Sequence, residues 1–464
     1  MNIFKFFIPI LLTVFLASCQ SNISTNENIE TGSDESEAGT SQQEAAVSGN
    51  DLFYCWRSPV ADACPKIVAF KYDDMPIEPS GVTVAKSGQA EIFLGVTDNV
   101  NELIKISQTR FGDDRLKAYA IFAFHPTAIE GRDSKGNIVA YPILLDAQQR
   151  ATFPLFDLEG IAYNASAEDM AFYAISSLSR YKRAGTDREY LDRKQAYRLQ
   201  LKASNPALPL SFQNAKAVNM SIVKPPASKD VESWVLSTTN WNMFSTSPYG
   251  RAETEGGLNV EGIAIAGNTN FEASGSTKPG FVIGMRGPIL GHNNIGDQHP
   301  APGAYSTTYR MITTDNNYTS YGIRGMDSLA RFRDDFRQYN LKADPADWFV
   351  VALGTTGEKN PVTGKYGQAL ICLVYMPDML SEWKLSYNGA ESCQLMPHSE
   401  FVAEGVAITS VTVTQSAGPP IDPYEAFDIS AEVILVDDNA ARVAQISLHC
   451  PGVAGGTTSV KCSK

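Results

Sequence analysis

The chain has one apolar run long enough to concern a membrane, and that run limits what the rest can be. Phe6 to Leu16 gives eleven residues of almost unbroken apolar character behind Lys5. A spanning helix needs about 20 such residues, whereas a secretory leader needs only a short apolar stretch behind a positive charge. No second run of this kind follows, so a polytopic membrane protein is excluded and the body is expected to fold in water. With 43% hydrophobic and 10% aromatic residues in 464, that body has enough apolar side chain for real cores. The 38 Lys+Arg against 51 Asp+Glu give a net charge of −13. An acidic surface cannot neutralise phosphates, so nucleic acid is not an expected partner.

The run ends in Leu16-Ala17-Ser18-Cys19. This tetrapeptide resembles the lipobox of bacterial lipoproteins. The resemblance implies a signal peptide over 1–18, cleavage before Cys19, a diacylglycerol on the Cys19 thiol and an N-acyl chain on the new terminus. No other cofactor is expected. Gln20 follows where an Asp would resemble the inner-membrane retention signal, so the resemblance implies an outer-membrane anchor. Several acyl chains hold stably, since each buried methylene is worth about 0.8 kcal/mol. Residues 19–50 are expected to be the lipidated Cys and a disordered acidic tether. From 20 to 50 there are six acids, nine Ser/Thr, and no Lys, Arg or aromatic residue. A flexible segment of that length spans about 30 Å.

The other six cysteines fall into couples near in sequence: Cys55 with Cys64, Cys372 with Cys393, and Cys450 with Cys462. Six cysteines allow about fifteen pairings, of which the local one is simplest, at roughly 2 to 4 kcal/mol for each bridge. The spacing contains no Cys-x2-Cys cluster of the kind zinc needs.

The body reads as mainly β with a few helices, α+β overall, in β-sandwich-like domains stapled by disulfides. Val82 to Val84, Glu91 to Leu94 and Ala118 to Phe124 are short apolar runs between turn signals, so 51–150 is expected to be a β-sandwich-like domain. A helix is expected from Ser166, with Met170, Ala171, Ala174, Ile175, Leu178 and Tyr181 at helical spacing. It opens a helical and Pro-rich connecting region over 151–229. Residues 230–400 are expected to form a β-rich α+β domain with one helix capped by Asp327. Residues 401–464 form a β unit, where Phe427, Ile429, Ala431 and Val433 alternate with polar residues. No internal repeat is legible.

Chemistry is sparse. His292, Asp297 and His299 lie in a loop rich in Gly, Pro and Asn, and are the densest set of metal-type ligands. Ser179-Arg180-Tyr181-Lys182 satisfies Ser-x-x-Lys, but at the wrong end of the expected helix and in the wrong motif order for a β-lactamase-like nucleophile. The acidic doublets, such as Asp334-Asp335 and Asp437-Asp438, lack the spacing of a calcium loop. Trp234, Trp241, Trp348 and Trp383 are candidates for stacking on sugar rings, or for core. Arg180, Lys182, Arg183, Arg188, Arg193 and Lys194 concentrate positive charge inside an acidic chain, a handle for an anionic partner. No catalytic machinery is legible. The expectation is therefore a lipid-anchored, non-catalytic binding, adhesion or scaffold protein of the cell envelope with an envelope protein or glycan as partner. The alternative is an envelope hydrolase acting on glycan or peptidoglycan.

Overall fold

Five glycines, one from each of five sheets, meet around a common axis. This was seen in a computed structural model, which describes residues 71–72, 75–76, 79–87, 90–98, 120–134, 137–164, 170–179, 194–224, 230–238, 257–266, 280–287, 304–306, 309–312, 318–336, 348–355, 369–375, 393–395, 403–415, 426–437 and 442–454. All belong to one compact unit. A methyl group placed on Gly81 would stand 2.9 Å from the Gly160 Cα, and one on Gly160 would stand 3.1 Å from the Gly262 Cα. Gly262 faces the Gly325 carbonyl carbon at 3.5 Å, Gly325 faces the Gly405 Cα at 2.8 Å, and Gly405 returns to the Gly81 Cα at 2.9 Å. The ring closes on itself. Backbones approach this closely only where no side chain intervenes.

Each glycine sits on the innermost strand of a meander. Blade one is β3 (Pro79–Ser87), β4 (Ala90–Thr97), β5 (Ile121–Phe124) and β6 (Tyr141–Pro142), hydrogen-bonded in that order. Blade two is β7 (Leu158–Asn164), β8 (Ala171–Ser176), β9 (Ala196–Ala203) and β10 (Ala215–Ile222). Blade three is β11 (Asn259–Ala266), β12 (Gly280–Gly287) and the parallel β13 (Ala304–Ser306). Blade four is β15 (Tyr318–Ser328), β16 (Trp348–Thr355), β17 (Leu370–Tyr375) and β18 (Cys393–Leu395), with β14 (Tyr309–Ile312) paired to the first part of β15. Blade five is β19 (Ala403–Gln415), β20 (Ala426–Asp437) and β21 (Arg442–Ala454). A small ribbon, β1 (Lys71–Tyr72) with β2 (Met75–Pro76), precedes them. The inner strands pack in the cycle β3, β7, β11, β15, β19 and back to β3. This is a five-bladed β-propeller arrangement.

The cores lie between blades. Ile161, Phe172, Ala174, Tyr197 and Leu199 face blade one and join Ile92, Leu94 and Ile121. The alternate residues Ala171, Tyr173 and Ile175 face blade three and join Ile263, Ile265 and Ile283. In the same way Val433 and Leu435 meet blade four, while Ile434 and Val436 meet Val82 and Val84 of blade one. A blade near the axis is thus apolar on both faces.

That double burial explains the main correction to the sequence reading. The helix expected from Ser166 is instead the strand β8, Ala171–Ser176, with every residue buried. A short apolar run buried on both faces carries no periodicity that separates helix from strand. Residues 151–229, expected to be a helical connector, therefore supply the four strands of blade two. The repeat missing from the sequence reading exists as five inner strands of one design. The coarse expectation of a mainly β chain holds, and the sheets pack face to face as sandwich layers do, but around an axis. The helix expected after Asp327 is a short one, the 3-10 turn Leu329–Phe332 running into Arg333–Phe336. Asp334 and Asp335 are exposed on it, as solvated helix surface.

Candidate functional site at the propeller axis

The sequence just before each ring glycine places one polar side chain per blade: Ser80, Glu159, Glu261, Arg324 and Glu404. In all five inner strands the pairing register slips at this residue, between Pro79 and Gly81, Leu158 and Gly160, Val260 and Gly262, Ile323 and Gly325, and Ala403 and Gly405. Each is therefore the extra residue of a β-bulge, which bends the strand and re-aims the side chain. All five are at most 8% exposed. A belt of buried charge thus surrounds the axis.

Buried charge is tolerable only when it is paired. Arg324 of blade four hydrogen-bonds Glu404 of blade five, and Arg286 of β12 meets Glu261 of β11 at 3.0 Å. Among the described residues, no arginine closes on Glu159 in this way. Burial, together with the neighbouring negative charges of Glu261, Asp98 and Asp157, pushes its carboxyl well above the ordinary 4.5, and Arg286 opposes this only in part. Glu159 therefore holds its proton where an exposed glutamate would have lost it. Asp157 and Leu178, on either side of this corner of blade two, have φ of 55°. Neither is glycine, so the backbone there is strained at a cost of order 1–3 kcal/mol each. Asp157 accepts from the Ser177 hydroxyl, and Ser177 lies 2.8 Å from the Ser179 Oγ.

Further out, Asp327 and Arg331 tie three blades together. Asp327 accepts from Arg331 at 2.7 Å and from the Ile408 amide of blade five at 2.7 Å. Arg331 donates to the Ile408 carbonyl and, at 3.4 Å, to the Val84 carbonyl of blade one. The axial cavity lined by the ring glycines, Glu159 and Glu261 has room for about one water molecule. Among the described residues, no group of three or more His, Cys, Asp and Glu is arranged to hold a metal ion.

The residues singled out from sequence fare unevenly. Arg180, Lys182, Arg183, Arg188 and Arg193 lie outside the described residues, as do His292, Asp297 and His299, Cys19, Cys55, Cys64 and Cys462, and Trp241 and Trp383. Ser176 pairs with Leu158, the residue before Glu159. Lys194 is not offered to a partner as expected, for it is only 15% exposed and meets the buried Glu232 at 2.9 Å. Ser179 is 3% exposed, which removes it as an open nucleophile. Trp348 is core, 4% exposed among Leu373, Val406 and Ile446. Cys372 and Cys450 are each disulfide-bonded, and the register places Cys372 directly across from Cys393.

The axial belt was missed in the sequence. The signal was present as Glu-Gly followed by Ile or Val at 159–161, 261–263 and 404–406, with Arg-Gly-Met at 324–326 and Ser-Gly-Val at 80–82. Irregular spacing, from 63 to 102 residues (160 to 262 is 102, 262 to 325 is 63, 81 to 160 is 79), hides it from a search for fixed periods.

No family model matches the chain, and no curated protein matches it. Among solved structures, a GH43 β-1,3-galactosidase with galactodeoxynojirimycin covers 85% of this chain and 97% of its own, at 9% identity and a TM-score of 0.30. At that similarity the likeness carries no argument about activity.

Proposed function

We propose that the protein is a lipid-anchored propeller of the bacterial envelope, held to the outer membrane through Cys19, that binds or scaffolds an envelope protein or glycan without catalysing a reaction. The observation that carries this reading is the closed axis. Five backbones in contact, charges paired across blades and space for about one water leave no room there for a sugar ring or a peptide. The axial charges then serve the ring, and recognition falls to another surface, with the basic segment 180–193 as its charged handle. The segment's fourteen residues hold five Lys+Arg against three Asp+Glu, a net +2 within a chain of −13, which suits an anionic partner.

The test is capture from intact envelopes by the lipidated protein, with Arg180, Lys182, Arg183 and Arg193 reversed to Glu in a matched sample. A specific partner lost on reversal, at an unchanged thermal midpoint, supports the reading. Equal capture by both samples overturns it. Replacement of Cys19 by Ser tests the anchor separately, and membrane retention of that variant at high salt would refute it.

A second reading has one observation in its favour. The protonated Glu159 beside the arginine-paired Glu261 is a carboxyl and a carboxylate with opposed environments, which is how acid and base roles are divided in glycan hydrolysis. Release of reducing ends from envelope glycan or peptidoglycan, abolished in Glu159→Gln, would establish the hydrolase and displace the first reading.

A further inference from the structure

We infer that the outer edge joining blades one and two docks on an anionic lipid bilayer. The inference rests on the anchored reading above for its setting, and on a separate set of residues for its argument. The three large apolar side chains most open to solvent among the described residues are Ile129, at 82%, Leu208, at 53%, and Leu144, at 48%. They come from three separate loops that converge. The Glu130 carbonyl, next to Ile129, accepts from Gln213 Nε2 at 3.3 Å. Leu144 donates to the Ala215 carbonyl at 3.3 Å and accepts from the Ala217 amide at 2.9 Å. Leu208 tips the connection that Ser204 and Asn214 close at 2.6 Å. All three therefore surround the start of β10.

The charge beside them is of one sign. Leu144 bridges Lys216, and Lys216 stands directly opposite Lys202, so the three side chains form a row on one face. Like charges in direct cross-strand register repel. Among the described residues neither lysine is in an ion pair. An anionic surface relieves that repulsion, and in a chain of −13 such a surface is otherwise repelled. Isolated apolar tips on separate loops do not make the continuous packed patch that a rigid protein partner buries. They suit a fluid acyl boundary, which closes around each tip independently. Glu130 is exposed beside Ile129, whereas Asp146 accepts from the Gln149 amide and Asp133 from the Asn137 amide.

The experiment uses the full chain carrying Leu208→Trp on vesicles of brominated phosphatidylcholine, with or without phosphatidylglycerol. Quenching is read as the difference from the unsubstituted chain. The expected result is added quenching only when phosphatidylglycerol is present, lost with Lys202→Glu and Lys216→Glu, and strengthened by Glu130→Gln. Each lysine should shift the half-maximal lipid concentration roughly fivefold. A Ser410→Trp control on blade five, where Ser410 is exposed, should show no added quenching. Absence of added quenching from position 208 on phosphatidylglycerol vesicles overturns the inference, whether or not the chain stays bound. Loss of the chain from washed vesicles of both compositions, with the quenching intact before washing, overturns the anchor instead.

Discussion

Glu159→Gln is the sharpest probe of the axis, because it keeps the shape of the protonated side chain while abolishing its titration. In the folded protein the carboxyl retains its proton well above 4.5, whereas the unfolded chain releases it near that value. The folded state then binds more protons than the unfolded state, so stability is fully present below 4.5 and falls as pH rises toward the raised folded value. A single site of this kind changes the unfolding free energy by at most about 1.4 kcal/mol per pH unit. Over two units inside the window the wild type should lose up to about 3 kcal/mol relative to the Gln variant. Urea unfolding of both proteins, in steps from about pH 5 to about pH 8, isolates the difference from all other titrating groups. The two curves should converge near 4.5 and diverge above it, with the variant the more stable at the alkaline end. Parallel curves, or a variant that loses stability faster than the wild type as pH rises, would refute the protonated assignment.

Three further outcomes follow from the packing. Gly325→Ala puts a methyl 2.8 Å from the Gly405 Cα and 3.0 Å from the Glu404 carbonyl oxygen, two backbone atoms that cannot swing aside; a loss of about 1 to 3 kcal/mol is expected by chemical denaturation. Asp327→Ala strands Arg331 and the Ile408 amide beneath the surface; it should cost about 3 kcal/mol, and a loss under about 0.5 would show the clamp to be ornamental. Non-reducing peptide mapping should find Cys372 linked to Cys393, its cross-strand neighbour in register, and Cys450 to Cys462; a peptide joining Cys372 to Cys450 would refute the local scheme.

Much of the strand content was legible, and for a common reason. Leu258 to Ala266, Trp348 to Gly354 and Phe427 to Val433 carry dense β-branched and aromatic residues between turns, and each is a strand. Blade two was not legible as strands. Its β8 is buried on both faces, so Ala171 to Ser176 lacks alternation and Met170, Ala174 and Leu178 mimic a helical stripe. The Asp146 cap, which Gln149 completes at 2.9 Å, was also passed over, because three residues of context are too few to mark so short a helix.

Sequence by itself determined the class of chain: an acidic, mostly β body behind a leader-like segment, with cysteines in local couples. Those properties are carried by residues near one another in the chain. Only the tertiary structure decided that Gly81, Gly160, Gly262, Gly325 and Gly405 form one ring and that their preceding residues form one belt. A Glu before a Gly has no meaning until five strands, scores of residues apart, bring those backbones to an axis too narrow for a side chain. There burial turns an ordinary carboxyl into a proton holder, and that burial is a property of the assembled ring rather than of any segment in it.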